Sequence, residues 1–238
     1  MNDRTALVTG ANKGIGKEIA RLLAQQGCAV HVGSRDAERG RRAAEEIGRG
    51  ARPLVLDVTD GDAIGRAAAQ LDRLDVLVNN AGIAPSLAPP QETGIEEFRR
   101  TYETNVHGVL AVTNAFLPAL RRSPQPRIVN ISSGTGSLSR STDPDHGFSV
   151  AGGGGAAYRS SKAALNALTV FYAQALAGEG FKVNALAPGL RATDLNARAA
   201  GSDGDPAEVA PEAVRLASLP ADGPTGRFFS WDGSSVPW

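Results

Sequence analysis

The chain contains a single cysteine, Cys28, which excludes an intrachain disulfide and cannot build a cysteine-based metal site alone. It has no excess of either charge sign: 25 basic residues balance 25 acidic ones. A nucleic acid or an anionic membrane is therefore not the expected partner. No apolar run approaches the ~20 residues needed to span a bilayer. No secretory leader is expected either, because the first apolar run, Ala6-Leu7-Val8, stops at a glycine turn. A cytoplasmic protein is the expectation. The three histidines, His31, His107 and His146, are scattered without metal-ligand spacing and are expected to be structural or surface residues, so no metal site is expected. Lysine is scarce, at positions 13, 17, 162 and 182 only, while arginine carries the remaining basic charge. Each lysine is correspondingly informative.

What is present is a chain of 238 residues, 42% hydrophobic, enough for one large domain covering residues 1–238, with no internal repeat or linker. Short apolar runs alternate with helical patterns throughout. Strands are expected at Thr5–Thr9, Cys28–Ser34, Pro53–Leu56, Leu74–Asn79, Arg127–Ser132, Lys182–Ala187 and Arg227–Ser230. Helices are expected at Ile15–Gln26, Ala37–Ile47, Ala63–Leu71, Tyr158–Leu176 and Pro206–Leu219, with Phe98–Leu120 interrupted near Tyr102–Asn105. This alternation predicts an α/β fold: a Rossmann-like, doubly wound parallel sheet of about seven strands with helices on both faces. Ligands of such sheets bind beyond the carboxyl ends of the strands, so the residues just after each strand carry the functional information.

After the first strand comes Thr9-Gly10-Ala11-Asn12-Lys13-Gly14-Ile15-Gly16. Three glycines between a strand and a helix let the backbone approach a pyrophosphate, whose charge the helix N-terminus stabilises. The second strand ends at Ser34-Arg35-Asp36. An acid there would hold ribose hydroxyls, whereas an arginine suits a 2′-phosphate. Arg35 offers that cation and Lys13 could face the same phosphate, while Asp36 is expected to cap the following helix. Asp57-Val58, after the third strand, suits either the adenine ring or a helix cap. Asn79-Asn80-Ala81-Gly82, after the fourth, can order backbone beside a cofactor.

Ser132-Ser133 closes the fifth strand, and strand alternation faces the two hydroxyls oppositely. Tyr158-Arg159-Ser160-Ser161-Lys162 puts Tyr158 and Lys162 four residues apart, on one helix face. Asn105 lies in an earlier helix. Together these features resemble the compact, non-extended type of the short-chain dehydrogenase/reductase family, essentially from end to end. The likeness rests on the TGxxxGxG turn at 9–16, NNAG at 79–82, the residues Asn105, Ser133, Tyr158 and Lys162, Pro188-Gly189 and Thr193. The glycine spacing differs from that of the family's extended epimerases, and Lys13 with Arg35 resembles its NADPH-dependent carbonyl reductases.

The resemblance implies a small-molecule carbonyl or alcohol as substrate and NADP as cofactor. Gly10, Asn12, Lys13, Gly14, Ile15, Gly16, Arg35, Asp57, Val58, Asn79, Ala81 and Gly82 would hold the nucleotide. It implies Tyr158 as acid–base, with Lys162 lowering its pKa and holding the nicotinamide ribose. Ser133 would bind the substrate oxygen, chosen over Ser132 because a two-residue gap and Gly136 follow it, and Asn105 would position a relay water. Pro188, Gly189 and Thr193 would border the nicotinamide. An alcohol dehydrogenase running oxidatively and a catalytically silent NADPH sensor are the alternatives, and a homo-oligomer is left open. The stretch between Ser133 and Tyr158 is longer than in the most compact relatives. Residues 137–157 are expected to form a mobile flap hinged at Gly152–Gly155, with Phe148 and Val150 as apolar contacts; a passive insertion or an oligomer contact are the other readings.

Overall fold

The computed structural model describes residues 4–148 and 152–238. The first half runs β1 (Thr5–Val8), α1 (Gly14–Gln25), β2 (Ala29–Ser34), α2 (Ala37–Ile47), β3 (Arg52–Val55), α3 (Gly61–Ala68), β4 (Val76–Asn79) and α4 (Ile95–Tyr102). The second half runs α5 (Gly108–Leu120), β5 (Arg127–Ile131), α6 (Leu138–Thr142), α7 (Ala156–Ala175), β6 (Lys182–Ala187), α8 (Ala197–Ala200), α9 (Ala210–Ala217) and β7 (Phe228–Ser230). The seven strands form one parallel sheet in the order β3-β2-β1-β4-β5-β6-β7, the expected Rossmann-like winding.

Adjacent residues of a strand feed opposite layers, which is why the strands read as continuous apolar runs. Val8 and Val78 pack with Ile19 and Leu23 of α1 and with Val214 of α9. Their neighbours Leu7 and Leu77 join Ile64 of α3 and Phe116 and Leu120 of α5. Asp36 caps α2 as expected, accepting a hydrogen bond from the Arg39 N–H at 2.9 Å. The expected interruption near Tyr102–Asn105 is a π-helical turn, Glu103–His107, joining α4 to α5. Two short helices, α6 and α8, carry too few residues for an apolar period to show in the sequence. The winding reverses between β1 and β4, so a crevice opens beyond their carboxyl ends.

Candidate active site

The turns after β1 and β4 are stitched into one floor. Thr9 Oγ1 accepts from the N–H groups of Asn80 (2.9 Å) and Ala81 (3.0 Å). Asn80 Nδ2 in turn donates to the carbonyls of Thr9 (2.9 Å) and Gly10 (3.2 Å). Gly10 and Gly14 hold φ of +62° and +54°, a region that L side chains rarely adopt. A Cβ at Gly16 would lie 2.3 Å from Asn80 Nδ2, so only glycine lets this turn close. The first turn of α1 has no side-chain cap, which leaves its N–H groups facing the crevice.

From this floor a cavity of about 880 Å3 extends to Tyr158 and Lys162. Gly10, Asn12, Lys13, Gly14, Ile15, Gly16, Arg35, Asp57, Val58, Ala81, Gly82, Tyr158, Lys162, Pro188 and Thr193 all line it. Arg35 is exposed and has no ion pair among the described residues. Asp57 spends one oxygen on the backbone N–H (2.9 Å) and hydroxyl (2.8 Å) of Thr59, and the cap of α3 is Asp60 instead. Asn79 does not line the cavity. It is buried, and its amide donates to Thr113 Oγ1 (3.1 Å) and Asn130 Oδ1 (2.9 Å), tying β4 to α5 and β5. The neighbouring Asn80 takes the position at the cleft. Gly189 also stands off the cavity, in a left-handed turn of φ +71° against Trp231.

At the other end, Ser132 and Ser133 both reach towards α7 rather than opposite ways, and of the two it is Ser132 that lines the cavity. Ser132 is buried and donates to Asn166 Oδ1 of α7. Ser133 is half-buried, bonds the Thr135 hydroxyl at 2.8 Å and hydrogen-bonds the phenol of Tyr158. A Cβ on Gly136 would lie 2.8 Å from the Lys162 backbone, so this glycine lets the serine loop lie against α7. Lys162 is 4% exposed; its Nζ donates to the Ile131 carbonyl (2.8 Å) and stands 5.7 Å from the Tyr158 ring centre. Asn105, fully buried in the π-helical turn, grips Ile83 through both N–H and carbonyl at 2.9 Å and donates to Ser161 Oγ at 3.0 Å. Its amide thereby fixes the backbone just after Gly82.

The electrostatics depart from expectation. Burial pushes the Tyr158 phenol up to about 12, against a smaller lowering by the Ser133 hydrogen bond. The lowering expected from Lys162 does not appear, because burial dominates both groups and brings the lysine down to about 8. Both are thus protonated at neutral pH.

The 137–157 segment is tethered where the structure describes it. Ser139 donates through its N–H (3.0 Å) and hydroxyl (2.7 Å) to the Trp238 carbonyl. Arg159, one residue after Tyr158, donates to Ser141 Oγ (2.9 Å) and the Phe148 carbonyl (3.3 Å). The Gly155 N–H bonds the Leu87 and Ala88 carbonyls at 2.9 and 3.0 Å, which anchors the last glycine of the run at the start of α7. The Phe148 ring would touch a Cβ on Gly134 (3.6 Å), next to Ser133. Val150, expected to share that contact, lies outside the described residues.

Sequence reading missed Arg39 and Asp194, both of which line the cavity. Arg39 was discoverable, since the cap at Asp36 puts it one helical turn beyond Arg35. Among the described residues, no group of three His, Cys, Asp or Glu side chains could hold a metal.

A family model for the short chain dehydrogenases matches residues 4–203. The chain belongs to the short-chain dehydrogenase/reductase family. It is 35% identical to galactitol 2-dehydrogenase (L-tagatose-forming) of Cereibacter sphaeroides, covering 98% of this chain and 95% of that one. To (-)-isopiperitenone reductase of Mentha piperita it is 34% identical, covering 96% of each. A short chain dehydrogenase from Escherichia coli CFT073, complexed with NADPH, superposes with a TM-score of 0.85 at 28% identity over 97% of each chain. Family members are oxidoreductases, and this chain belongs among them. Among the described residues no helix is long and apolar enough to cross a membrane.

Proposed function

We propose that this family member is an NADPH-dependent reductase that converts a ketone or aldehyde to an alcohol, with Tyr158 as proton donor. The observation that carries the reading is one cavity with a protonated phenol at one end and Lys13, Arg35 and Arg39 at the other. The residues between them fit a dinucleotide: two glycines with positive φ, a third with no room for a Cβ, and an uncapped helix N-terminus for the pyrophosphate. Arg35 and Lys13 would meet a 2′-phosphate, and Lys162 a ribose. The NADPH complex of the E. coli relative supports the same choice.

When bound, the nicotinamide supplies the hydride. The chain's own residues then have to orient the carbonyl and deliver one proton. Ser133 Oγ, already beside the phenol, would donate to the carbonyl oxygen and stabilise the charge that develops there. Tyr158 Oη, protonated at neutral pH, would give its proton to that oxygen. Lys162, its Nζ fixed by the Ile131 carbonyl, would hold the nicotinamide ribose. Asn105 would keep the Gly82–Ile83 backbone in place beside them. The test is a panel of ketones and aldehydes with NADPH absorbance followed in time. Turnover of at least one carbonyl supports the proposal. Oxidation of alcohols with no reductive turnover at neutral pH contradicts it.

A further inference from the structure

Lys13 and Asp194 stand on opposite lips of the cavity, one in the glycine turn after β1 and the other in the segment after β6. Lys13 Nζ lies 2.9 Å from Asp194 Oδ2, closing an ion pair across the mouth. The lips also touch beside it, since a Cβ on Gly14 would lie 3.3 Å from Thr193 Cγ2. Both charged residues, with Arg39, also line a hollow of about 410 Å3 that adjoins the cavity. The pair therefore sits in the wall at the cationic end, where the extra phosphate of NADPH would dock. Of the three cations there, Lys13 is engaged by Asp194, and Arg39 faces Asp36 at 3.6 Å. Arg35 has no ion pair among the described residues. With side chains 56% and 74% exposed, the Lys13–Asp194 pair adds little to stability, and a phosphate can compete for the lysine.

We propose that Asp194 tunes cofactor preference by competing with the 2′-phosphate for Lys13, so that it weakens binding of the phosphorylated dinucleotide and leaves the unphosphorylated one unaffected. Asp194 is thus a positioning residue acting through Lys13. The inference rests on the NADPH reading above. The chemistry is that of any polyvalent anion at a shared cation: the carboxylate occupies the ammonium and repels the incoming phosphate.

The experiment measures Kd by calorimetry for NADP+, NAD+, adenosine 2′,5′-bisphosphate and 5′-AMP. The proteins are the full chain, Asp194→Asn, Lys13→Met and the double variant. Asp194→Asn is expected to tighten NADP+ and the bisphosphate about threefold to tenfold, the scale of one exposed ion pair plus a like charge removed. NAD+ and 5′-AMP should stay within about twofold, and the gain should vanish in the Lys13→Met background. A loop merely disturbed by the substitution would shift all four ligands together, and that result overturns the proposal. So does an unchanged NADP+ affinity, or a gain that survives Lys13→Met. If the unaltered chain shows no preference for NADP+ over NAD+, the cofactor reading itself falls. A clear preference with a silent Asp194→Asn removes only the role of Asp194.

Discussion

Replacing Lys162 by methionine separates what that residue does for chemistry from what it costs the fold. A lysine brought from 10.5 to about 8 by burial disfavours the folded state by about 3 kcal/mol at neutral pH. The penalty is fully present below pH 8, where the unfolded chain and the folded one both carry the charge. It is relieved as pH rises from about 8 to 10.5, because the folded protein sheds the proton first. Methionine keeps the length and apolar stem but no charge, and it gives up the 2.8 Å hydrogen bond to the Ile131 carbonyl, at about 1 kcal/mol. Lys162→Met should therefore be more stable than the parent by about 1–2 kcal/mol at pH 7, with the difference shrinking towards pH 10. Turnover should collapse and NADPH affinity should fall. Urea unfolding at a series of pH values, taken as the difference between the two proteins, is the assay. Taking the difference cancels Tyr158 and Tyr172, both raised to about 12 by burial. A variant less stable than the parent at pH 7, or a difference that does not change with pH, would refute the reasoning.

Gly16→Ala should abolish cofactor binding and lower stability by about 1–3 kcal/mol, because the added methyl displaces Asn80 from its two carbonyl partners; thermal melts and NADPH titration check both. Arg35→Ala should weaken NADPH by about tenfold or more and NADH hardly at all, one charge-assisted hydrogen bond being at stake. An equal loss for the two cofactors would deny the arginine its phosphate role. Phe148→Ala should raise KM for bulky carbonyls while leaving the NADPH Kd unchanged, the ring lying beside Gly134, the residue after Ser133. Substrate kinetics within about twofold of the parent would make the 137–157 segment a passive insertion.

Features set by near neighbours in the chain were legible before the fold was known. The Asp36 cap needs only a short polar side chain three residues before an N–H, and the Tyr158–Lys162 pair needs only helical spacing. Features that join distant segments were not legible. Asn79 looks like a cleft residue beside Asn80, and only its meeting with Thr113 and Asn130 in the assembled layers withdraws it into the interior. The Lys13–Asp194 pair joins residues 181 apart, which no local pattern encodes. The hold that Leu87 and Ala88 have on Gly155, the last glycine of the 152–155 run, was hidden for a similar reason, since it joins residues far apart in the chain. The direction of the Tyr158 shift depends on how many atoms surround the phenol, a quantity that exists only after folding.

The central claim, that Tyr158 delivers the proton in a carbonyl reduction driven by NADPH, is tested most directly by Tyr158→Phe on the best carbonyl of the panel. The substitution removes one oxygen and its hydrogen bond to Ser133 and keeps the ring, so the variant should fold and bind NADPH as the parent does. Its kcat should fall by about 10²–10⁴-fold, the range that a positioned proton donor contributes. A variant that binds NADPH normally yet keeps more than about a tenth of the parent kcat would contradict the assignment.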